Sequence, residues 1–264
     1  MTIPKIEMAW SDGAVRGARI NSINDYSVDA DPLRLVEIAQ PQNKELACDY
    51  ITGLGHCARA FAPFVASVDA YDPDEEILRE AKRISDEAGI TNIKYIAADF
   101  FDLGGKSGRY DILTARMALR HTGNPAGALK ELNRVLKPSG RLILEDLLAP
   151  QHADLADFQN NLMRTRDRSH IKSNTLAEWE TMLDQFDFDI DQVEIFPTEH
   201  NFENWARRLG ADTDSVRMLA MFLKSSSPRI KRHFRLIEVD DKPVSFVTWI
   251  VIIRAHPRHA SVGD

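Results

Sequence analysis

Between residues 45 and 148 the chain alternates two hydrophobic patterns. Short, nearly continuous apolar runs ("ELACDYI", "VASVDAY", "NIKYIAA", "YDILTARMAL", "RLILEDLL") are separated by segments whose apolar positions recur every three or four residues. The first pattern predicts strands buried on both faces, the second helices packed on one side. A helix over "DPLRLVEIAQ", carrying Leu33, Leu35, Val36 and Ile38, precedes the first strand. "HCARAFAPF" predicts a short helix after that strand. "DPDEEILREAKRISDEAG" carries a full set of helix signals: Asp72 or Asp74 as cap, Pro73 in the first turn, acids near the start and Gly89 at the stop. "PAGALKELNRVLK" predicts a further helix, closed by "PSG". Strand and helix in alternation argue for a parallel sheet covered by helices, and the right-handed crossover rule makes it doubly wound.

After Pro150 the pattern changes. "HADLADFQNNLMRTRDRSH" is polar with a weak helical stripe, and "TLAEWETMLDQFDF" is an amphipathic helix through Leu176, Trp179, Met182, Leu183 and Phe186. "DIDQVEIF" reads as a strand and "FENWARRLGADTDSVRMLAMFLKSS" as helical. "HFRLIEVDDKPVSFVTWIVIIRA" reads as two strands around a turn, the last apolar enough to enter the main sheet. The expectation is one domain over residues 1–264. Its core spans 30–148, a mostly helical cover with one strand spans 149–235, and the C-terminal strands span 236–256.

Composition narrows the function. A net charge of −7 argues against a nucleic-acid or membrane-surface role, which needs a basic face. The local basic stretch "SSSPRIKRHFR" reads as a solvated face. Two cysteines, Cys48 and Cys57, are too few for a disulfide scaffold or a cysteine zinc site, and no spacing suggests a metal. "MTIPKIEMAW" lacks the apolar run of a signal peptide, and no run is long enough to span a bilayer, so a cytoplasmic protein is expected. The expected partner is a small-molecule substrate; oligomeric state is open, a homodimer included.

Chemistry concentrates at strand ends. Gly53, Gly55 and Ala58 fit G-x-G-x-x-A between a strand and a helix, where glycines allow a sharp turn and the helix start offers free N–H groups. Asp72 ends the next strand, where a carboxylate can accept both hydroxyls of a ribose. Asp99, followed by Phe100 and Phe101, ends the third, where it can take an adenine amino group beneath an aromatic cover or simply cap its loop. The spacing alone leaves NAD and other adenosine cofactors open.

The segments "CDYITGLGH", "YDPDEEILREAKR", "AADFFDL", "YDILTARMALRHTGNP" and "ELNRVLKPSGRLILED" resemble, in order, the motifs of class I S-adenosylmethionine (SAM) methyltransferases, closest to the ubiquinone/menaquinone group. The resemblance covers about residues 30–148. It implies a Rossmann-like, seven-stranded sheet with an antiparallel last strand, SAM as cofactor, and methyl transfer to a small organic acceptor. The apolar, aromatic cover suits a hydrophobic acceptor. By position it implies a cofactor loop at Gly53 and Gly55, flanked by Ile51 and Thr52. Asp49 would orient the methionine end, Asp72 with Pro73 would hold the ribose, and Asp99 with Phe100 the adenine. Arg116 and Met117 would line the methionine side. This sequence departs from the family at Ile51 and Leu54, where Gly and a small residue are usual, and at Arg120, where many relatives have His. Because Ile is β-branched, the first strand is expected to run extended through Ile51, the turn starting at Thr52 or Gly53. His121, Arg166 and His170 are the catalytic candidates. A histidine can take a proton from an oxygen or nitrogen acceptor, and Arg166 and His170 would share a face if "RDRSH" is helical. Trp179 and Trp205 read as core and His56 as structural. The competing readings are a methyltransferase-fold protein that binds a ligand without methyl transfer, and a nicotinamide oxidoreductase.

Overall fold

The structure, a computed structural model, describes residues 19–21, 32–208 and 212–258. In chain order these form β1 (Arg19–Asn21), α1 (Leu33–Ala39), β2 (Leu46–Tyr50), α2 (His56–Phe61), β3 (Ser67–Asp72), α3 (Glu75–Glu87), β4 (Ile93–Ala97), β5 (Tyr110–Arg116), a 3-10 turn (Leu119–His121), α4 (Pro125–Val135) and β6 (Leu136–Leu148). There follow α5 (Ala153–Arg166), α6 (Leu176–Gln185), β7 (Phe188–Asn201), α7 (Phe202–Arg207), α8 (Thr213–Lys224), α9 (Pro228–His233), β8 (Ile237–Val239) and β9 (Lys242–Pro257).

Local chemistry sets several boundaries. Asp74 caps α3, its carboxylate accepting from the N–H groups of Glu76 and Ile77, and Gly89 ends the helix at φ +71°. Thr175 and Glu178 form a reciprocal capping box on α6. Ser227 caps α9, so the basic "PRIKRH" is a short helix, and Lys231 pairs with Glu238 and Arg229 with Asp154.

The sheet runs β1-β7-β9-β6-β5-β2-β3-β4, with β8 pairing β9. Seven strands are the expected Rossmann-like set: β4, β3, β2, β5, β6 and β7 with β9 antiparallel between β6 and β7. Two short strands enlarge it beyond the expected seven: β1 beside β7 and β8 beside β9. From β2 the chain winds outward through β3 to β4, then returns to lay β5 on the other side of β2. Strand order therefore reverses between β2 and β5, and a crevice is expected outside their carboxyl ends. The core is centred on the sheet, with Cys48, Ile112, Leu113, Ile143, Leu144, Val193 and Ile253 fully buried. Helices α5, α8 and α9 pack on one another beyond it, with α7 and α8 resting on β9. Among the described residues no helix is long and apolar enough to cross a membrane.

Candidate active site

The expectation for Ile51 fails. β2 stops at Tyr50 and Ile51 itself turns left-handed, at φ +53°. The hydrogen bonds around it account for this. Asp49, 3% exposed, accepts Thr114 Oγ1 (2.7 Å) on one carboxylate oxygen. Its other oxygen accepts Thr52 Oγ1 (2.6 Å) and the N–H of Ala58 (3.0 Å). Thr52 N–H donates to the carbonyl of Tyr71 on β3 (2.8 Å). To bring Thr52 back onto Asp49 three residues earlier, the chain must reverse at residue 51, and tertiary bonds override the side chain's preference. Gly53 (φ +53°) and Gly55 (φ +79°) complete the turn. Gly55 is required twice over, since a Cβ there would lie 2.6 Å from Tyr95 Oη. A Cβ at Gly53 would meet nothing within 4 Å, so that face of the loop is open. Burial raises the Asp49 carboxyl above its ordinary range, and the three donors draw it back.

Asp72 ends β3, buried. Its Oδ2 accepts Gly53 N–H and its Oδ1 accepts Asp74 N–H, both at 3.0 Å. Each oxygen keeps a second lone pair and can accept one more hydrogen bond without breaking either of these. Pro73, beside it, is exposed. Asp99 is exposed two residues beyond β4, and its Oδ1 caps the N–H of Phe101 (2.8 Å). Phe100 is half-buried edge-on to Tyr50, whose hydroxyl donates to the Phe100 carbonyl (2.9 Å).

A cavity of about 310 Å³ begins at Arg116 and Met117, where β5 ends, and runs under the cover past Arg120, Arg166, His170, His200 and Trp205. Met117 turns at φ +54°, its N–H donating to the carbonyl of Glu145 (2.7 Å). Arg116 lies 3.3 Å from the fully buried Glu145 carboxylate. Burial pushes Glu145 up to about 7, although Arg116 opposes the shift. Arg120 is held by the buried Asp146, which accepts from its backbone N–H (3.1 Å) and lies 3.4 Å from its guanidinium.

Helix α5 ends at Arg166, and Asp167 is extended (φ −135°). Its carboxylate accepts the N–H and hydroxyl of Ser169, forming a turn. Arg166 and His170 thus do not share a helix face as expected, yet the turn brings both to the cavity wall. His170 is 3% exposed, and its tautomer can be deduced. Asn160 Oδ1 accepts the N–H of Ser173 (2.7 Å), which fixes the amide's orientation. His170 Nε2, 2.9 Å from that same oxygen, must then donate, leaving Nδ1 as the lone-pair nitrogen. Burial, with Arg120 and His121 nearby, pulls His170 down to about 4. His121 differs. Its Nε2 accepts from Arg120 Nε (3.1 Å), its Nδ1 faces Ser169 Oγ (3.0 Å), and it is not on the cavity wall.

Several wall residues escape a sequence reading. Trp205, read as core, is buried but lines the cavity, with the Arg166 guanidinium 4.5 Å over its ring. Trp179 is core as expected, and Cys48 and Cys57 are both free and buried. Thr198 and His200 were missed. Two apart near the end of β7, they share a face by the two-residue period of a strand, and that polar pair closing an apolar run was the available signal. Among the described residues no cluster could hold a metal ion.

A family model described as a methyltransferase domain matches residues 22–193. The uncharacterized methyltransferase YcgJ of Bacillus subtilis (strain 168) is 27% identical over 225 residues, 85% of this chain and 89% of its own length. The ubiquinone/menaquinone biosynthesis C-methyltransferase UbiE of a Shewanella species (strain W3-18-1) is 30% identical over 118 residues, covering 43% of this chain and 46% of that protein. A solved structure from Bacillus halodurans C-125, assigned to the methyltransferases, superposes with a TM-score of 0.84 at 31% identity, covering 87% of this chain and 99% of that one. The family match sets the nicotinamide oxidoreductase reading aside. With a Rossmann-like sheet, a glycine turn at its switch point and these relatives, the chain belongs to the class I SAM-dependent methyltransferases and is a methyltransferase enzyme.

Proposed function

We propose that this chain binds SAM across the β2–β5 crevice and transfers its methyl group to a small organic molecule seated in the cavity beneath α5 and α7. The observation that carries the reading is adjacency at the strand ends. The glycine turn and Asp72 lie at the ends of β2 and β3, and the cavity starts at Arg116 and Met117 at the end of β5, with β2 and β5 adjacent. Asp72 would hold the ribose diol, Gly53 and Gly55 would admit the methionine portion, and Asp99 with Phe100 would contact the adenine. Asp49 acts behind the loop, holding Thr52 and the start of α2.

SAM, when bound, would supply an electrophilic methyl, the carbon–sulfur electron pair passing to sulfur to give S-adenosylhomocysteine (SAH) as the acceptor's nucleophilic electron pair forms the new bond. The protein's part is alignment, which supplies much of the rate, and disposal of a proton. For an oxygen acceptor that proton goes to His170 Nδ1. His121 is the weaker candidate because its Nε2 lone pair already accepts from Arg120. A weakly basic imidazole suffices there, since an oxygen atom becomes strongly acidic once methylated, whereas a methylated amine keeps its proton as an alkylammonium.

Isothermal titration of SAM and SAH into wild type and Asp72→Ala tests the reading. Wild type should bind both. The variant should bind ten- to a hundredfold more weakly, the usual worth of losing charge-assisted hydrogen bonds, about 1.5–3 kcal/mol. Equal affinity in a folded variant would remove Asp72 from the cofactor site.

A further inference from the structure

Arg166 is an incomplete cation. Its Nε donates to the carbonyl of Trp205 (2.9 Å) and its guanidinium carbon lies 4.5 Å over that ring, so the side chain is held at two points. Its two terminal nitrogens make no hydrogen bond among the described residues, and no described carboxylate lies within 4.0 Å. Arg116 and Arg120 share the wall with Arg166, but each lies beside a buried carboxylate, Glu145 and Asp146. The acid nearest Arg166 in sequence on that wall, Asp167, has its carboxylate taken up by Ser169. Burial, Arg208 and Arg120 together pull the Arg166 guanidinium down to about 10. That direction is expected of a charge enclosed without a counterion.

Two further orphans line the same cavity. Thr198 Oγ1 and His200 Nδ1 are buried polar atoms without a partner, on residues 3% and 7% exposed. His200 Nε2 is engaged with Thr248 Oγ1 (2.8 Å), which fixes the ring while leaving Nδ1 unused. Unmet buried polar groups cost stability unless something completes them. Leu147, Met163 and Ile250 add apolar surface to the same lining.

We propose that the acceptor carries an anionic group, a carboxylate or a phosphate, seated in the fork of Arg166 with Thr198 and His200 completing its hydrogen bonds, and an apolar body against Leu147, Met163 and Ile250. A guanidinium fork matches both oxyanions in a bidentate geometry that a neutral group cannot use equally well. The volume, about 310 Å³, sits at the lower end for small-ligand sites and suits one ring bearing one such group. This rests on the cavity being the acceptor site of the methyltransferase proposed above, and it adds an anionic group to the hydrophobic acceptor that the sequence suggested.

Thermal-shift titration with SAH present tests it, using benzoate against benzamide and phenyl phosphate against benzyl alcohol. At least one anion should raise the melting temperature in a concentration-dependent way while its neutral counterpart does not; which anion does so decides between carboxylate and phosphate. Arg166→Gln should weaken that anion at least tenfold with SAH affinity unchanged. Arg166→Lys, which keeps the charge and loses the fork, should fall between. A neutral compound matching its anion, an anion response that survives in Arg166→Gln, or no response to either anion overturns the proposal. SAH binding to wild type is measured separately. Its absence would sink the cofactor reading, and the anion titrations, repeated without SAH, would still decide this one.

Discussion

Ile51 sits in the left-handed region, at φ +53°, where a β-branched residue pays about 1–2 kcal/mol. It is also half-buried against the core, so shortening it loses packing. Comparing two truncations separates these effects. Ile51→Ala and Ile51→Gly lose nearly the same contacts, but only glycine adopts this backbone freely. Urea unfolding should therefore find Ile51→Gly more stable than Ile51→Ala by about 1 kcal/mol, reversing the usual order at an extended position. The usual order would mean that residue 51 is extended in solution. Neighbouring glycines should differ too. Gly55→Ala adds a clash with Tyr95 to the strain of a positive φ, whereas Gly53→Ala adds strain alone, so Gly55→Ala should be the more damaging. At this scale the sequence is uneven. The turn at Gly53 and Gly55 and the strand end at Asp72 were legible, because paired glycines after an apolar run favour a sharp turn and an acid before a proline and a helix cap closes a strand. The conformation of Ile51 was not, because Thr52, Asp49 and Tyr71 impose it, and two of those bonds reach a side chain or a neighbouring strand that no local preference encodes.

Asp49 joins three elements. From β2 it accepts Thr114 on β5, Thr52 in the turn and the N–H of Ala58 in α2. Asp49→Ala leaves two hydroxyls and an amide without their acceptor in a buried place, and it should cost at least about 3 kcal/mol in urea unfolding. A loss below about 1 kcal/mol would mean that water reaches these donors and that the carboxylate does not tie the elements together. Most elements announce themselves in the pattern. The strands from β2 to β6 are apolar runs, and α3 carries its cap, its acids and its terminal glycine. What the pattern hides is where an element stops when a tertiary partner decides. "DIDQVEIF" extends to Asn201 because β9 pairs it along its whole length. The weak stripe of α5 gives no sign that the helix ends at Arg166, where the Asp167–Ser169 turn diverts the chain and sets His170 against Asn160.

A net charge of −7 gave no hint of an arginine-lined cavity. Arg116 and Arg166 end β5 and α5, Arg120 sits in the 3-10 turn and Arg208 follows α7, and they meet only when the cover folds over the sheet. The same enclosure makes stability depend on pH, and the sign follows from the buried groups. His170 and His200 are pulled down to about 4 and about 3 by burial, helped by Arg120 beside the first and Arg166 beside the second. Unfolded, both titrate near 6.5. Between pH 6 and 5 the unfolded chain therefore binds two protons that the folded chain refuses. Their contribution is present above the unfolded value and lost as pH falls through 6.5 toward the folded values. Burial likewise lowers His121 and His233, adding to the same side. Glu145 acts the other way. Raised to about 7 by burial, it is protonated when folded and mostly ionised when unfolded across this window, so its contribution is present at low pH and lost as pH rises through 7. Burial raises Asp49 and Asp146 on the side of Glu145, but the four lowered histidines outnumber these three carboxyls, so acidification from pH 6 to 5 should lower the urea midpoint. Glu145→Gln removes the opposing proton and should steepen that fall by about one proton in the linkage slope, whereas His200→Asn should flatten it by about one. Urea unfolding of the three proteins at half-unit steps of pH gives the slopes directly. A wild-type midpoint that rises on acidification, or a Glu145→Gln slope no steeper than wild type, would show that these groups reach water in the folded protein and that the cavity is not the enclosed, cationic space described above.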